Sequence, residues 1–189
     1  MSDDVLKDFL DEARSRMQKS VDATKTEFAT VRTGRASPHL LDRIIVDYYG
    51  AETPLQQIAS FTVPEARQLL ITPFDKSSIG AIEKALQMSD LGLNPSNDGH
   101  AIRLSFPPLT AERRKEFVKL VKNMAEEGKI SLRNHRRAAR SELESMKKDG
   151  ELSEDELKRY ETDLDKRIHV HEADIDSAFG VKEKELLED

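Results

Sequence analysis

Near the start of the chain, apolar residues return every three or four positions. Leu6, Phe9, Ala13, Met17, Val21, Thr24, Phe28 and Val31 share one face of a helix, with charged residues between them. Gly34 and Pro38 interrupt that period. From Leu40 the pattern changes. Ile44-Ile45-Val46-Asp47-Tyr48-Tyr49 is β-branched and aromatic and predicts a strand that Gly50 ends. Ile58–Val63 and Leu69–Thr72 predict further short strands, separated by Pro64-Glu65-Ala66-Arg67. Asp75 can cap a helix that runs through Ser89 and buries Ile79, Ile82, Ala85 and Leu86, with Ser77-Ser78 as its starting turn. The turn-rich run Asn94–Gly99 precedes one more strand, Ala101–Phe106.

Pro107-Pro108 breaks the chain, and Thr110 offers an N-cap for a second long helix. Its apolar face runs through Phe117, Leu120/Val121, Met124, Gly128, Leu132, His135, Ala139, Leu143 and Met146. Asp149-Gly150 turns the chain, and Ser153-Glu154-Asp155-Glu156 fits a capping box. A third helix then repeats Leu157, Tyr160, Leu164, Ile168, His171, Ile175, Phe179 and Leu186. The second and third helices each span roughly 45–55 Å at about 1.5 Å per residue. Neither stripe is wide enough to stabilise its helix alone. The first helix supplies the matching face, which predicts an elongated three-helix bundle from residues 1–31 and 106–189. Residues 32–105 form a small β/α/β domain inserted into it, so the fold class is α+β. Two crossings join these domains, near Val31–Gly34 and Ser105–Pro108, and their glycine and prolines suit a hinge.

Composition narrows the function. The chain has no cysteine, which removes disulfides, thiol nucleophiles and thiolate metal sites. No apolar run is long enough for a membrane span, and the acidic start does not resemble a secretory signal, so a cytoplasmic protein with no membrane partner is expected. The net charge of −6 conceals an asymmetry: residues 106–148 carry +6 and residues 149–189 carry −9. Such segregation can steer one surface toward a polyanion, and neighbouring helices that cancel each other's charge would leave the same signature.

The basic segment is ordered. Arg133, Arg136, Arg137 and Arg140 fall within about 100° of one another on the second helix, and Lys115, Lys122 and Lys129 continue that side. The stripe lies roughly 130° from the apolar face, so it is expected to face solvent without pairing across the core. Antiparallel packing would put it at the end of the bundle far from the inserted domain. Guanidinium forks hold phosphate oxygens in pairs and stack on bases, and a rigid helix reduces the cost of ordering them. A solvated basic face, with Arg137 or Arg140 bridging to acids of the third helix, is the plainer reading. His135 lies on the apolar side and reads as a packed, hydrogen-bonded residue. His169 and His171 do not share a helical face, and His39 and His100 stand alone, so no metal site is expected. No pair among the many carboxylates is marked for acid–base work, and no glycine-rich phosphate loop follows a strand. The chain therefore reads as a non-enzyme without a cofactor.

Several long motifs in one order give the sequence a family likeness. Arg32-Thr33-Gly34-Arg35-Ala36-Ser37-Pro38, Val46-Asp47-Tyr48-Tyr49-Gly50, Ser89-Asp90-Leu91-Gly92-Leu93-Asn94-Pro95, Pro107–Lys115 and Arg133-Asn134-His135-Arg136-Arg137 closely resemble the ribosome recycling factor family, over essentially the whole chain. The resemblance implies an L-shaped, two-domain protein similar to transfer RNA in outline, acting as a monomer. It also implies binding to the large ribosomal subunit and its RNA after termination. With elongation factor G and GTP, the family splits the ribosome and releases messenger and transfer RNA. By position, Arg136 resembles the arginine most important for ribosome binding, supported by Arg133, with Asn134, Arg137 and Arg140 as helpers; Lys129, on the same side of the helix, is expected to join them in binding RNA. Arg32, Thr33, Gly34 and Arg35 with Ser105, Phe106 and Pro107 resemble the hinge and junction. His135 stands where the family often has an aliphatic residue, and the acidic tail is unusual. A protein-binding helical adaptor with a basic docking face is the alternative that does not draw on the resemblance.

Overall fold

The computed structural model describes residues 3–188. Among the described residues there are four α-helices: α1 (Asp3–Ala29), α2 (Ile79–Gln87), α3 (Ala111–Lys148) and α4 (Glu154–Leu187). Six strands lie between α1 and α3: β1 (Ile45–Tyr48), β2 (Ala51–Pro54), β3 (Ala59–Glu65), β4 (Gln68–Pro73), β5 (Ser96–Asn97) and β6 (Ile102–Ser105). The class is α+β, as the sequence pattern predicts. Two compact units result. One joins the described residues up to Phe28 with those from Val118 onward, and the other is Ala29–Phe117.

In the first unit, α1, α3 and α4 bury one stripe each. Leu6, Leu10, Met17 and Val21 of α1, Val121, Leu132 and Leu143 of α3, and Leu164, Ile168 and Ile175 of α4 are all buried. Full burial of such a side chain is worth about 1.5–3 kcal/mol, which offsets the ordering of helices that are marginal alone. The expected stripes shift slightly. Leu10 is buried and Phe9 only partly so, because Leu10 continues the step of four from Leu6 and precedes Ala13 by three. Leu120 is exposed, while Val121 takes the core position beside it.

Both predicted starts are present. The Thr110 hydroxyl accepts the Arg113 amide at 3.2 Å. Ser153 and Glu156 form a reciprocal capping box, with the Ser153 amide donating to the Glu156 carboxylate at 2.8 Å. That backbone bond, with one from the Ser153 hydroxyl, holds the Glu156 carboxyl below its usual range. Its stabilisation is therefore present above the unfolded carboxyl's pKa and is lost as acidification passes through the lowered folded value.

The three helices pack tightly at Gly128. A Cβ there would collide with the Thr24 hydroxyl of α1 and lie 3.1 Å from its methyl and 3.2 Å from Cδ1 of Ile175 on α4. Thr24 is itself fixed, since its hydroxyl donates to the Ser20 carbonyl at 2.9 Å. Glycine costs a helix interior about 1 kcal/mol relative to alanine, so its presence marks a packing requirement.

In the second unit, β1 and β2 form an antiparallel hairpin, and the other strands form an antiparallel sheet in the order β3-β4-β6-β5. The central strand β4 alternates, with Leu69 and Ile71 fully buried against Ile102 and Leu104 of β6 and against Ile82 and Leu86 of α2. β3 is an edge strand and runs further than expected, through Pro64. A register shift falls between Thr62 and Glu65, because Pro64 has no amide to contribute to the ladder. The turn to β4 is therefore only Ala66-Arg67. The hairpin partner β2 and the short β5 are absent from the sequence prediction. Ala51–Pro54 has little strand propensity, and it pairs because Tyr49 (φ 52) and Gly50 (φ 81) both turn left-handed between the strands. The Tyr49 hydroxyl donates to Asp75 at 2.6 Å, which braces that otherwise unfavourable residue. The Asp75 carboxyl is held below its usual range by this bond and by those from Ser77.

The Gly128 contact makes a direct prediction. Gly128→Ala should destabilise the bundle by about 1–3 kcal/mol despite alanine's better helix propensity. Adding Thr24→Ala should recover part of the loss in a double-mutant cycle read by urea denaturation. Equal stability of Gly128→Ala and the parent would show that the helices do not need this close approach.

Candidate nucleic-acid interface

α3 and α4 run antiparallel through the first unit, joined by the turn at Gly150, so the flanks of their apolar seams lie side by side. The basic positions Lys129, Arg133, Arg136 and Arg140 on α3 follow one such flank. Acids on α4 follow the other at Glu161, Asp165, Glu172 and Asp176. Arg133 Nε donates to Glu172 at 3.1 Å, Arg136 Nη1 to Asp165 at 3.2 Å, and Arg140 Nε reaches Glu161 at 2.9 Å and Glu144 at 3.3 Å. Lys129 pairs with Asp176 and stands 3.7 Å from Glu126.

This corrects the expectation that the stripe faces solvent unpaired. A position roughly 130° from the centre of an apolar face is still on the flank of a helix, and an arginine is long enough to reach back along it. Acids four and seven residues apart on the neighbour provide the other half of the ladder, in the manner of charged positions beside a coiled-coil seam. The plainer reading named the right kind of contact at Arg140, and it also holds at Arg133 and Arg136.

Pairing does not remove the arginines from reach. Their side chains are 47% exposed at Arg133, 40% at Arg136 and 60% at Arg140. Each spends one of five N–H donors, Arg140 sharing its Nε–H between two acids, and ion pairs this exposed are worth about 0.2–1 kcal/mol each. Lys129 differs, with only 16% of its side chain exposed. The hydrogen bond to Asp176 is the main reason its pKa is raised. Arg137 and Asn134 are exposed and, among the described residues, have no side-chain partner. The face thus combines three tethered forks with one free fork beside them.

The histidines have structural contacts. His135 is half-buried, its Nε2 3.0 Å from the Ser20 hydroxyl of α1, as its place on the apolar side predicts. His171 is buried, with Nδ1 2.7 Å from the Arg167 carbonyl. Among the described residues no group of three or more histidine and carboxylate side chains is placed to hold a metal ion, and no helix is long and apolar enough to cross a membrane.

All the residues expected at the hinge lie inside the second unit, where two chain segments are clasped. The Ala36 amide donates to the Ala66 carbonyl at 2.8 Å, and the Phe106 amide donates to the Arg67 carbonyl at 2.8 Å, so one β-turn holds both segments. Arg32 bridges them directly: its Nη2 donates to the Pro107 carbonyl at 3.2 Å and its guanidinium carbon lies 5.9 Å from the centre of the Phe106 ring. Burial, and secondarily the charge of Arg113, push the Arg32 guanidinium below its ordinary pKa. Its buried Nε has no hydrogen-bond partner among the described residues. Gly34 turns with φ 82 and sits 3.6 Å, measured from the position of a Cβ, from the Leu109 amide and side chain, so a larger residue would be strained there. Thr33 is half-buried, while Arg35, Ser105 and Pro107 are exposed. No spacing rule reveals this clasp, since its contacts join residues some seventy-five positions apart in the chain.

Arg32→Ala should loosen the clasp by about 1–2 kcal/mol, the combined worth of a charged hydrogen bond and a cation–π contact. Hydrogen exchange should then quicken at the Ala36 and Phe106 amides while core amides of α3 and α4 stay protected. Unchanged exchange at both amides would remove Arg32 from this role.

Comparison with known proteins agrees with this architecture. The family model described as "Ribosome recycling factor" matches residues 24–187. The ribosome-recycling factor of Bacillus licheniformis is 53% identical over 179 residues, covering 95% of this chain and 97% of that protein. That of Shouchella clausii is 54% identical over 177 residues, covering 94% and 96%. A solution structure of a ribosome recycling factor superposes with a TM-score of 0.77 at 40% identity, covering 96% of this chain and 97% of that one. A second structure, of the T. thermophilus ribosome recycling factor and E. coli elongation factor G bound to the E. coli post-termination complex, matches at a TM-score of 0.68 and 46% identity, covering 97% and 99%. By model and by relatives over nearly its full length, the chain belongs to the ribosome recycling factor family.

Proposed function

We propose that this protein binds the large ribosomal subunit after termination and, together with elongation factor G and GTP, splits the ribosome so that messenger and transfer RNA leave. The observation that supports this reading is the ridge of half-exposed arginines on one rigid helix, in a chain of this family. Arg136 is the principal anchor on ribosomal RNA and Arg133 its support. Arg140, Arg137 and Asn134 add contacts along the same face, and the largely covered Lys129 serves mainly to hold α3 to α4. The GTPase partner performs the bond chemistry; this chain contributes binding and displacement. The helices of the first unit act as the anchor, and the Ala29–Phe117 unit, stiffened by the clasped segments at Arg32–Arg35 and Ser105–Pro107, receives the push. The site of action is the cytoplasm, and the working form is the monomer.

Phosphate contacts from a helix-mounted fork are charge-assisted hydrogen bonds, worth about 1.5–3 kcal/mol each. Arg136→Ala should therefore weaken binding to isolated large subunits by roughly 10- to 100-fold at constant helicity. Splitting of post-termination ribosomes, followed by light scattering, should require this protein, elongation factor G and GTP together. Full splitting by the folded variant at limiting concentration would remove Arg136 as the anchor. Absence of any splitting by the parent protein would favour the protein-binding adaptor instead.

A further inference from the structure

We propose that Glu161, Asp165 and Glu172 of α4 set the specificity of the arginine face by occupying it in the free protein, so that loosely fitting polyanions are rejected. This inference rests on the reading that the arginine ridge is the RNA-binding face, and it adds a role for the opposite rail of the ladder.

The basis is the local balance of charge. Bare arginines at 133, 136, 137 and 140 would form a dense cationic stripe, and such a stripe binds any nucleic acid by releasing its counterions. In the structure, three of the four already face carboxylates: Glu172 at Arg133, Asp165 at Arg136, and Glu161 at Arg140. Glu144 adds a further negative charge beside Arg140. The ridge and its rail are close to electroneutral over a distance shorter than a Debye length, so little long-range attraction for a polyanion remains.

An incoming phosphate must either use an arginine's remaining donors while lying beside the paired carboxylate, or take the arginine away from that acid. Each displacement is easy, because the pairs are exposed and individually weak. An RNA surface that offers several phosphates at the spacing of the ridge can displace all three together. A flexible single strand makes fewer simultaneous contacts and does not recover the loss. Arg137, free of any acid among the described residues, provides a first contact for either ligand. Segregated chain charge serves the same end: the +6 of residues 106–148 is answered by the −9 of residues 149–189, which keeps the whole protein acidic.

The test neutralises the rail without changing its shape. The triple variant E161Q/D165N/E172Q is compared with the parent for binding to fluorescent poly(U) and to vacant large subunits between low and moderate salt. Poly(U) binding should tighten by about tenfold or more, and its logarithmic salt slope should steepen by about two, since three arginines gain phosphates at roughly 0.7 each. Affinity for large subunits should change by a smaller factor, so the ratio between specific and non-specific binding falls. If the triple variant unfolds, D165N alone is used; its side chain is 57% exposed, and about a twofold gain in poly(U) binding is expected. Unchanged poly(U) affinity and slope in a folded variant would overturn the proposal while leaving the arginine anchor intact. Adding R133A and R136A to the triple variant separates the two ideas. Loss of the gained poly(U) binding supports both, and its persistence would show that the arginine ridge is not the RNA face.

Discussion

At Gly128 a long helix packs against Thr24 and Ile175 of its two neighbours with no room for a side chain, and the register of the three helices must respect that contact. Each helix carries an apolar stripe too narrow to stabilise it alone, so each must be covered by both neighbours at once. The absence of a side chain at Gly128 lets them meet, and Leu132, Leu143, Leu164 and Ile168 then fill the core on from that point. Register in turn decides which residues lie opposite each other on the flanks. The same packing that buries the leucines brings Arg133 to Glu172 and Arg136 to Asp165.

On the proposed function, the arginine ridge has two jobs that pull in different directions. As part of the bundle it is half of an ion-pair ladder that adds little stability per pair but fixes side-chain positions. As a binding face it must be available to phosphate. Partial exposure reconciles the two, because a planar fork bound at one edge still presents N–H groups at the others. A fully solvated ridge would be less ordered and less selective, and a fully buried one would be useless for recognition. Lys129, nearly covered by its two acids, marks the point along α3 where the balance tips toward structure.

Much of the fold was legible in the sequence because periodicity reports burial directly. Steps of three and four along α1, α3 and α4, the capping box at Ser153 and Glu156, and the Thr110 cap all depend on neighbours within a few residues. The parts that escaped depend on distant partners. Ala51–Pro54 becomes a strand only because a left-handed Tyr49 folds it back onto β1 and Asp75 holds that tyrosine. The Arg32 clasp joins segments that lie on either side of the whole small sheet. At the candidate site, helix phase placed the arginines correctly on α3, but phase on one helix says nothing about the acids on the next. Aligning residues 129, 133, 136 and 140 in antiparallel order with 176, 172, 165 and 161 was the available signal.

The central claim is that this particular face of α3 rests on large-subunit RNA. The chain has no cysteine, so a single one can be placed at will. Iron–EDTA tethered to Asn134→Cys, exposed beside the ridge and without a side-chain partner among the described residues, should cut large-subunit RNA at a small set of sites. The same probe on Ser15→Cys, exposed on α1, should cut those sites weakly or not at all. Cleavage confined to the Asn134 position is the predicted result. No cleavage from Asn134, or an identical pattern from both positions in proteins that still bind the subunit, would contradict the account.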